Sequence, residues 1–510
     1  MEASLPPLSI PVHVGPHLKR ALRLAEEGDH AGSLEALAAA AVIDIQAAQQ
    51  EFLGDIRACA VIADVTRAAL EGWTARQGSS GQATVERHAT TGASPSARRT
   101  AGDPVRVLYF APNLASGQAA SMNLVRLVEW HVRHGVGRSG GERLRVEVAV
   151  VVCDELTERT PALGYLRCPQ SPTSAIGAEL LARLRQSCTV TVLPANGTHL
   201  DGATAGIAAA RAFAPDVALF MGSPACAVQT AIAAARVAPV QACLNIGVPM
   251  LSPGIDAVIY NNPSKEARDA AFVCARGLEV LGVATSGGDA QVGAALAPFP
   301  RSELALPDAA PVAVSMSNVL VRRMLAGTFA RDLVAFLRRN PDVWWLGIGF
   351  CDPAPFYQFL ETVEDGAEIR RRCVFAGGSS KPWSMVKSCQ VLLNEYPEGG
   401  GNSVIETMGC GVPVVAMRAG HRHAESIGAE LVGEDAIQSN DITAYWRLAE
   451  RWIRDPAAAA TAGARQRARA MSTLDYGVIC DAYERIAVDL FHRRVRVADA
   501  GASAELAAVC

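Results

Sequence analysis

The residues with the clearest chemical signature lie between 391 and 420, in VLLNEYPEGGGNSVIETMGCGVPVVAMRAG. A short apolar run with the pattern of a strand passes into Glu398-Gly399-Gly400-Gly401-Asn402-Ser403, and a helical stretch follows. Glycines let backbone N–H groups approach a ligand, and a helix start favours negative charge. Gly400, Gly401, Asn402 and Ser403 therefore read as a phosphate cradle. Asn402 and Ser403 are also good N-cap types, so a capped helix after a tight turn would use the same letters. Glu406 is what a plain cap does not need. One turn into the helix, its carboxylate is placed to accept hydrogen bonds from vicinal ribose hydroxyls. Seven residues separate Glu398 from Glu406, and a loop-then-helix path can bring both to one cleft.

Such a loop needs a sheet behind it, and the chain supplies two sets of strands. From Pro104, VRVLYFAP, RVEVAVVVCD, CTVTVLP, DVALFMG, PVQACLNIG and DAVIYNN read as strands separated by alanine-rich helical stretches, to about residue 300. A second set begins at Pro311, with PVAVSMSN, VWWLGIGF, VFAGG, VLLNEYP and VPVVAMR. Near-continuous apolar strands alternating with helices predict parallel sheets buried on both faces. After Asp455-Pro456 the chain turns helical to about Arg493, with a bridging helix expected over 471–495. Residues 1–75 form a helical module, its helical pattern starting near residue 16 and broken by a turn at Gly28-Asp29. It resembles one tetratricopeptide hairpin, but no second copy follows at that family's 34-residue period. Residues 76–103 are Gly/Ser/Thr/Ala-rich and read as a flexible linker. The expected division is thus 1–75, 76–103, a first α/β domain over 104–300, a second α/β domain over 301–470, and the closing helix.

The 391–420 segment resembles the nucleotide-sugar signature of GT-B glycosyltransferases, E-G-x-G-x-x-x-x-E followed by T-M-G-C-G-V-P-V-V-A. In that resemblance Glu398 matches the glutamate that faces the donor sugar in retaining family 4 enzymes, and Glu406 the ribose-binding one. A second stretch, ARVAPVQACLNIGVPMLSPGIDAVIYNN at 235–262, is similar to one in the O-GlcNAc transferase family, family 41, which includes bacterial protein glucosyltransferases. SNVLVRR at 317–323 resembles the F-N-x-x-Y-K motif of that family, with Asn318 in register and Arg322 where a lysine meets the donor diphosphate. A guanidinium can take this role by clamping phosphate oxygens bidentately and stabilising the leaving group. A solvated helix start is the plainer account of Arg322 and Arg323. GGSSKPWSMVKSC at 377–389 matches the loop where family 41 holds uracil, which implicates Ser380, Lys381 and Trp383, with a surface loop as the alternative. The family pattern also sets the loop after the first strand beside the phosphates, and Ser116-Gly117 feeds a helix start there. The histidine that the O-GlcNAc transferase family carries in that loop is missing, so no base is inherited. His199, in NGTHLDG, is the candidate taken instead. His421 and His423, with Glu425 beyond them, follow the last strand, where His421 is a further candidate for a donor-sugar contact, whereas His131 and His134 read as surface or capping groups.

The implied fold is α/β of the GT-B class: two Rossmann-like doubly wound domains facing a cleft, preceded by the small helical module. The implied activity is transfer of a hexose, of the glucose or N-acetylglucosamine type, from a nucleotide diphosphate sugar, UDP-linked by the family pattern. The expected acceptor is a protein side chain, with the helical module docking acceptor or partner. The competing enzyme reading is a retaining transferase acting on a glycan or small molecule, which product anomeric configuration would separate. A reading of another class is a non-catalytic sugar-nucleotide-binding protein. No D-x-D metal motif stands in a fitting place, so neither metal nor cofactor is expected, and backbone dipoles with Arg322 would meet the diphosphate.

Bulk composition agrees with this and excludes little else. At ~150 residues per domain, 510 residues predict three to four domains. Half the chain is hydrophobic and 19% is charged, unlike a disordered chain. The 47 basic and 51 acidic residues leave a net charge of −4, without the basic excess of a nucleic-acid binder. No apolar run reads as a membrane span, and the N-terminus lacks the cationic-then-apolar pattern of an export signal, which predicts a cytoplasmic protein. The thirteen cysteines are scattered, with no C-x-x-C pair, and those in apolar runs, such as Cys243 and Cys373, read as small buried hydrophobes.

Overall fold

A computed structural model describes residues 15–48, 60–75, 104–114, 119–137, 143–153, 173–194, 197–222, 226–245, 249–261, 263–283, 287–293, 295–349, 351–379, 382–397, 399–418 and 427–509. The module begins with helices α1 (Gly15–Glu26) and α2 (His30–Ala48). Gly28 makes the turn between them at φ +82°, a backbone region that residues with a Cβ seldom adopt. Asp29 accepts the Gly32 N–H at 2.8 Å and so starts the second helix. Residues 60–75 add further helix. Leu34, Leu37, Leu70 and Trp73 share one apolar core with Ala203, Ile207 and Ile232 of the following domain, so module and domain pack as neighbours.

The first sheet has seven parallel strands: β1 (Val105–Ala111), β2 (Val146–Val152), β3 (Thr189–Val192), β4 (Val217–Phe220), β5 (Val240–Asn245), β6 (Ala257–Tyr260) and β7 (Glu279–Gly282). Their order is β3-β2-β1-β4-β5-β6-β7. Central β1 pairs Tyr109 with Val150 on one side and Leu219 on the other. Alternate side chains of each strand enter different cores, Phe110 and Phe220 stacking at 4.6 Å on one face while Tyr109 and Leu219 fill the other. Burying such side chains contributes roughly 1.5–3 kcal/mol each, which is why the strands read as unbroken apolar runs. The run at 188–194 departs from its expected burial. It forms edge strand β3, and Thr189 and Val192 are exposed because no strand lies beyond them. β7, at the other edge, had no clear sequence signal; its residues are half-buried or exposed. Helices α3 (Ala119–His134) and α4 (His199–Phe213) belong to this domain.

The second sheet has five parallel strands, β8 (Val312–Met316), β9 (Trp344–Ile348), β10 (Cys373–Gly377), β11 (Val391–Leu393) and β12 (Val414–Val415), in the order β10-β9-β8-β11-β12. Strand direction of connection reverses at β8, between β9 and β11, so loops leaving β8 and β11 part and open a crevice at their carboxyl ends. Helix α5 (Leu320–Ala326) follows β8, and α6 (Asn402–Gly409) follows β11. Asp455 caps helix Pro456–Arg469 by accepting the N–H groups of Ala457 and Ala458. The chain then enters α7 (Tyr476–Val509), longer than the 471–495 segment expected. α7 returns to the first domain, where Ile479, Cys480, Val488 and Leu490 join Val125, Val128 and Leu184 in one core. Among the described residues no helix is long and apolar enough to cross a membrane. Cys243 and Cys373 are buried, and burial pushes both thiols up to about 12.

Candidate functional site

At the β8–β11 crevice the chain has placed most of its unusual residues. After β11, Asn394 and Glu395 precede Tyr396-Pro397 and the glycine loop. Asn394 Nδ2 donates to the Gly400 carbonyl at 3.1 Å and so straps the loop to the strand end. A Cβ on Gly399 would stand 2.1 Å from Asn394 Oδ1, which only glycine avoids. Gly401 occupies the N-cap of α6, and no side chain caps that end. The expected Asn or Ser cap is therefore not formed. Asn402 Nδ2 instead donates across the cleft to Asn123 Oδ1 on α3, at 2.9 Å. The first N–H groups of a helix without a side-chain cap are the donors that an anion satisfies.

Cationic charge reaches this loop from α5. Arg323 Nη1 lies 3.4 Å from where a Cβ on Gly400 would stand, and it donates to Ser317 Oγ at 3.1 Å. Arg323, rather than Arg322, thus supplies the guanidinium nearest Gly400; successive helical residues project about 100° apart. Arg322 is half-buried one position earlier, and Asn318 is half-buried at the end of β8, where Gly349 packs against the Ser317 carbonyl. Gly327, closing α5, leaves no room for a Cβ against Pro397 Cδ (2.5 Å), so helix and loop are locked together. Tyr396 adds a second tie. Its hydroxyl donates to Asp332 at 2.9 Å and accepts from Trp446 Nε1 at 2.7 Å.

Glu406 stands half-buried one turn into α6 and accepts the Trp383 indole N–H at 3.0 Å. The expected base-holding segment and the expected ribose residue therefore meet. Burial pushes the Glu406 carboxyl up to about 7; Asp289 adds to this, while the Trp383 hydrogen bond and Arg126 oppose it. Arg126, on α3, pairs with Asp289 at 2.5 Å, and the Tyr476 hydroxyl of α7 donates to Asn123. One glutamate of the crevice was not singled out from sequence at all. Glu395 is 3% exposed, its Oε2 takes no hydrogen bond among the described residues, and burial pushes its carboxyl up to about 7. Arg323 and hydrogen bonds from the N–H groups of Glu395 and Gly400 act in the opposite direction.

The structure places His199 elsewhere. It is the first residue of α4, behind a capping box in which Thr198 Oγ1 accepts the Asp201 N–H and Asp201 accepts the Thr198 N–H. Its buried ring is held by Glu35 of α2, in the seam with the helical module rather than beside the glycine loop. Thr-x-x-Asp was legible as a helix start and would have moved His199 out of a loop. Glu398, Ser116, Gly117, Ser380 and Lys381 lie outside the described residues, as do His421, His423 and Glu425. Among the described residues no group of three or more His, Cys, Asp or Glu is placed to hold a metal ion.

Two doubly wound parallel sheets, a crevice at the switch point of the second, and a C-terminal helix returning to the first are what the comparisons match. The fold is GT-B. An O-GlcNAc transferase variant from Thermobaculum terrenum is similar over 96% of this chain and 100% of its own, at 15% identity and TM-score 0.54. Sucrose-phosphate synthase from Thermosynechococcus elongatus covers 76% of the GT-B chain and 100% of its own, at 16% identity and TM-score 0.54. HepE from Anabaena, in complex with UDP and glucose, covers 76% and 99%, at 16% identity and TM-score 0.52. No family model and no curated protein matches the sequence.

Proposed function

We propose that this GT-B chain is a glycosyltransferase that moves a hexose of the glucose or N-acetylglucosamine type from a UDP-sugar to a protein side chain. The observation that carries this reading is the glycine loop. It feeds the uncapped start of α6 beside Arg323, and Glu406 with Trp383 stands one turn beyond. The diphosphate would lie on the loop N–H groups and the guanidinium, the ribose on Glu406, and the base near Trp383. Departure of UDP places negative charge on the β-phosphate, and fixed donors aimed there lower the barrier without reorganising. Glu398 and Arg322 remain proposed partners of the donor sugar and diphosphate, and Ser116, Gly117, Asn318, Ser380 and Lys381 of the remaining donor groups. The protein acceptor is supported by the match to the O-GlcNAc transferase, which spans 96% of the chain against 76% for the other two. The Glu398–Glu406 spacing favours the second reading, a retaining transferase with a glycan or small acceptor.

The test is incubation with UDP-glucose and UDP-N-acetylglucosamine, with and without acceptor protein, following UDP release and acceptor mass. Slow hydrolysis and a hexose mass increment are expected. Binding of UDP with no turnover under any condition would leave a sugar-nucleotide-binding protein in place of an enzyme.

A further inference from the structure

Asp289 belongs to the chain segment between β7 and β8, which joins the two domains, and packing sets it beside Glu406. A Cβ on Gly288 would stand 2.9 Å from Ile405 of α6, and one on Gly409 would stand 2.0 Å from the Ala290 carbonyl. Residues 288–290 therefore run along α6 from Ile405 to Gly409, past Glu406. The first domain arrives from the other side. Asn123 of α3 accepts from Asn402 of α6 at 2.9 Å, and Asn402 and Glu406, four residues apart, share one helix face. Arg126 lies three residues beyond Asn123 on the matching face of α3, and it reaches Asp289 Oδ2 at 2.5 Å. Arg126 is itself braced: its Nη1 lies 3.7 Å from Glu129, which accepts two hydrogen bonds from Arg183 at 2.9 and 2.8 Å. A second carboxylate is thus held next to the expected ribose residue by a cation of the opposite domain.

A vicinal diol brings two O–H donors, and each is held best by an ionised acceptor. Glu406 already gives Oε2 to the Trp383 indole, and burial favours its protonated form, so it is a poor host for both hydroxyls. Arg126 meets Asp289 through Oδ2, which leaves Oδ1 to a further donor, and the side chain is 19% exposed. We propose that Asp289 is a second ribose-reading residue: its carboxylate accepts one of the two vicinal hydroxyls of the donor nucleotide, Glu406 accepts the other, and Arg126 is the positioning residue that fixes Asp289. The crevice then selects ribonucleotides over deoxyribonucleotides with one group on α6 and one on the segment between the domains.

This inference rests on the nucleotide-sugar reading of the site. Its test is calorimetric titration of the intact chain and of Asp289→Asn with UDP, 2′-deoxy-UDP and 3′-deoxy-UDP. The wild type is expected to bind UDP about tenfold or more tighter than either analogue, as loss of a hydrogen bond to a charged group implies. Asp289→Asn should lose about tenfold for UDP and for one analogue, and nothing for the other, which lacks the hydroxyl that Asp289 holds. Sugar pucker differs among the ligands but is common to both proteins, so it cancels in this cycle. A residue that merely braces the domains would weaken all three ligands alike. Arg126→Gln, which lets Asp289 move, should show the same ligand pattern, and it carries the test where the asparagine variant fails to fold. Equal losses for the three ligands, or none, overturn the proposal and leave the donor reading in place. No UDP binding by the wild type overturns the donor reading and this proposal with it.

Discussion

Glu395 and Glu406 are raised by burial to the same range, about 7, and the sign of the consequence is fixed. A carboxyl whose folded pKa exceeds its ordinary value near 4.5 binds more protons folded than unfolded between those limits. Its favourable contribution is complete below about 4.5 and is lost as pH rises through 7. For the fully buried Glu395 a shift of this size corresponds to roughly 3 kcal/mol. Glu395→Gln should therefore lose less melting temperature between pH 5 and 8 than the wild type, as thermal scans at both pH values will show. Parallel losses would mean that Glu395 is ionised throughout. Glu406→Ala acts differently, because half-buried Glu406 meets the cleft. Removing a charged acceptor of ribose hydroxyls should weaken UDP binding about tenfold or more, with the melting temperature held. Unchanged affinity would remove the ribose assignment.

Elements explain which of these residues could be read in advance. The strands were legible because burial on both faces demands unbroken apolar letters, and the E-G-G-G-N-S segment was legible because glycines before a helix have few other uses. Glu395 was not, since it is buried beside Asn394, whose carbonyl accepts the hydroxyl of Tyr445 from the helix Ile442–Arg454, some fifty residues on. The choice between Arg322 and Arg323 depends on which face of α5 meets the loop, and that is fixed by tertiary packing in which Gly349 lies against the Ser317 carbonyl and Gly327 against Pro397. His199 was assigned to a cleft because its partner, Glu35, lies 164 positions away on another element. Two predictions belong at this scale. Gly399→Ala puts a methyl 2.1 Å from Asn394 Oδ1 and should force the loop off its strap, costing about 1–3 kcal/mol of stability and most UDP affinity. Binding and melting at wild-type values would show the loop to be adaptable. His199→Ala should free the helical module for limited proteolysis while UDP affinity stays as it was. Loss of UDP binding instead would return His199 to the donor site.

At the scale of the whole molecule, α7 makes one unit of two sheets. Its Tyr476 and the Asn402 of α6 meet on the same Asn123 oxygen, so the closing helix, the donor loop and the first domain share one polar contact. Two turns further along, α7 is held by a buried polar knot in which His131 Nε2 meets Glu484 Oε2 at 3.0 Å and the Cys480 carbonyl at 3.1 Å. Its Nδ1 meets the Tyr109 hydroxyl at 3.2 Å. Both His131 and Glu484 side chains are wholly buried. Removing one partner leaves the other's polar atoms buried without it, at about 1–3 kcal/mol, whereas replacing both by apolar groups of similar shape can be nearly neutral. His131→Phe should therefore loosen α7 from the first domain, bring forward proteolytic cleavage within 476–492, and weaken UDP binding although no donor residue is changed. The double variant His131→Phe with Glu484→Leu should recover both protease resistance and affinity. A single variant as resistant as the wild type would show that the apolar face of Ile479, Val488 and Leu490 holds the helix unaided. The knot would then carry no part of the coupling between α7 and the donor crevice.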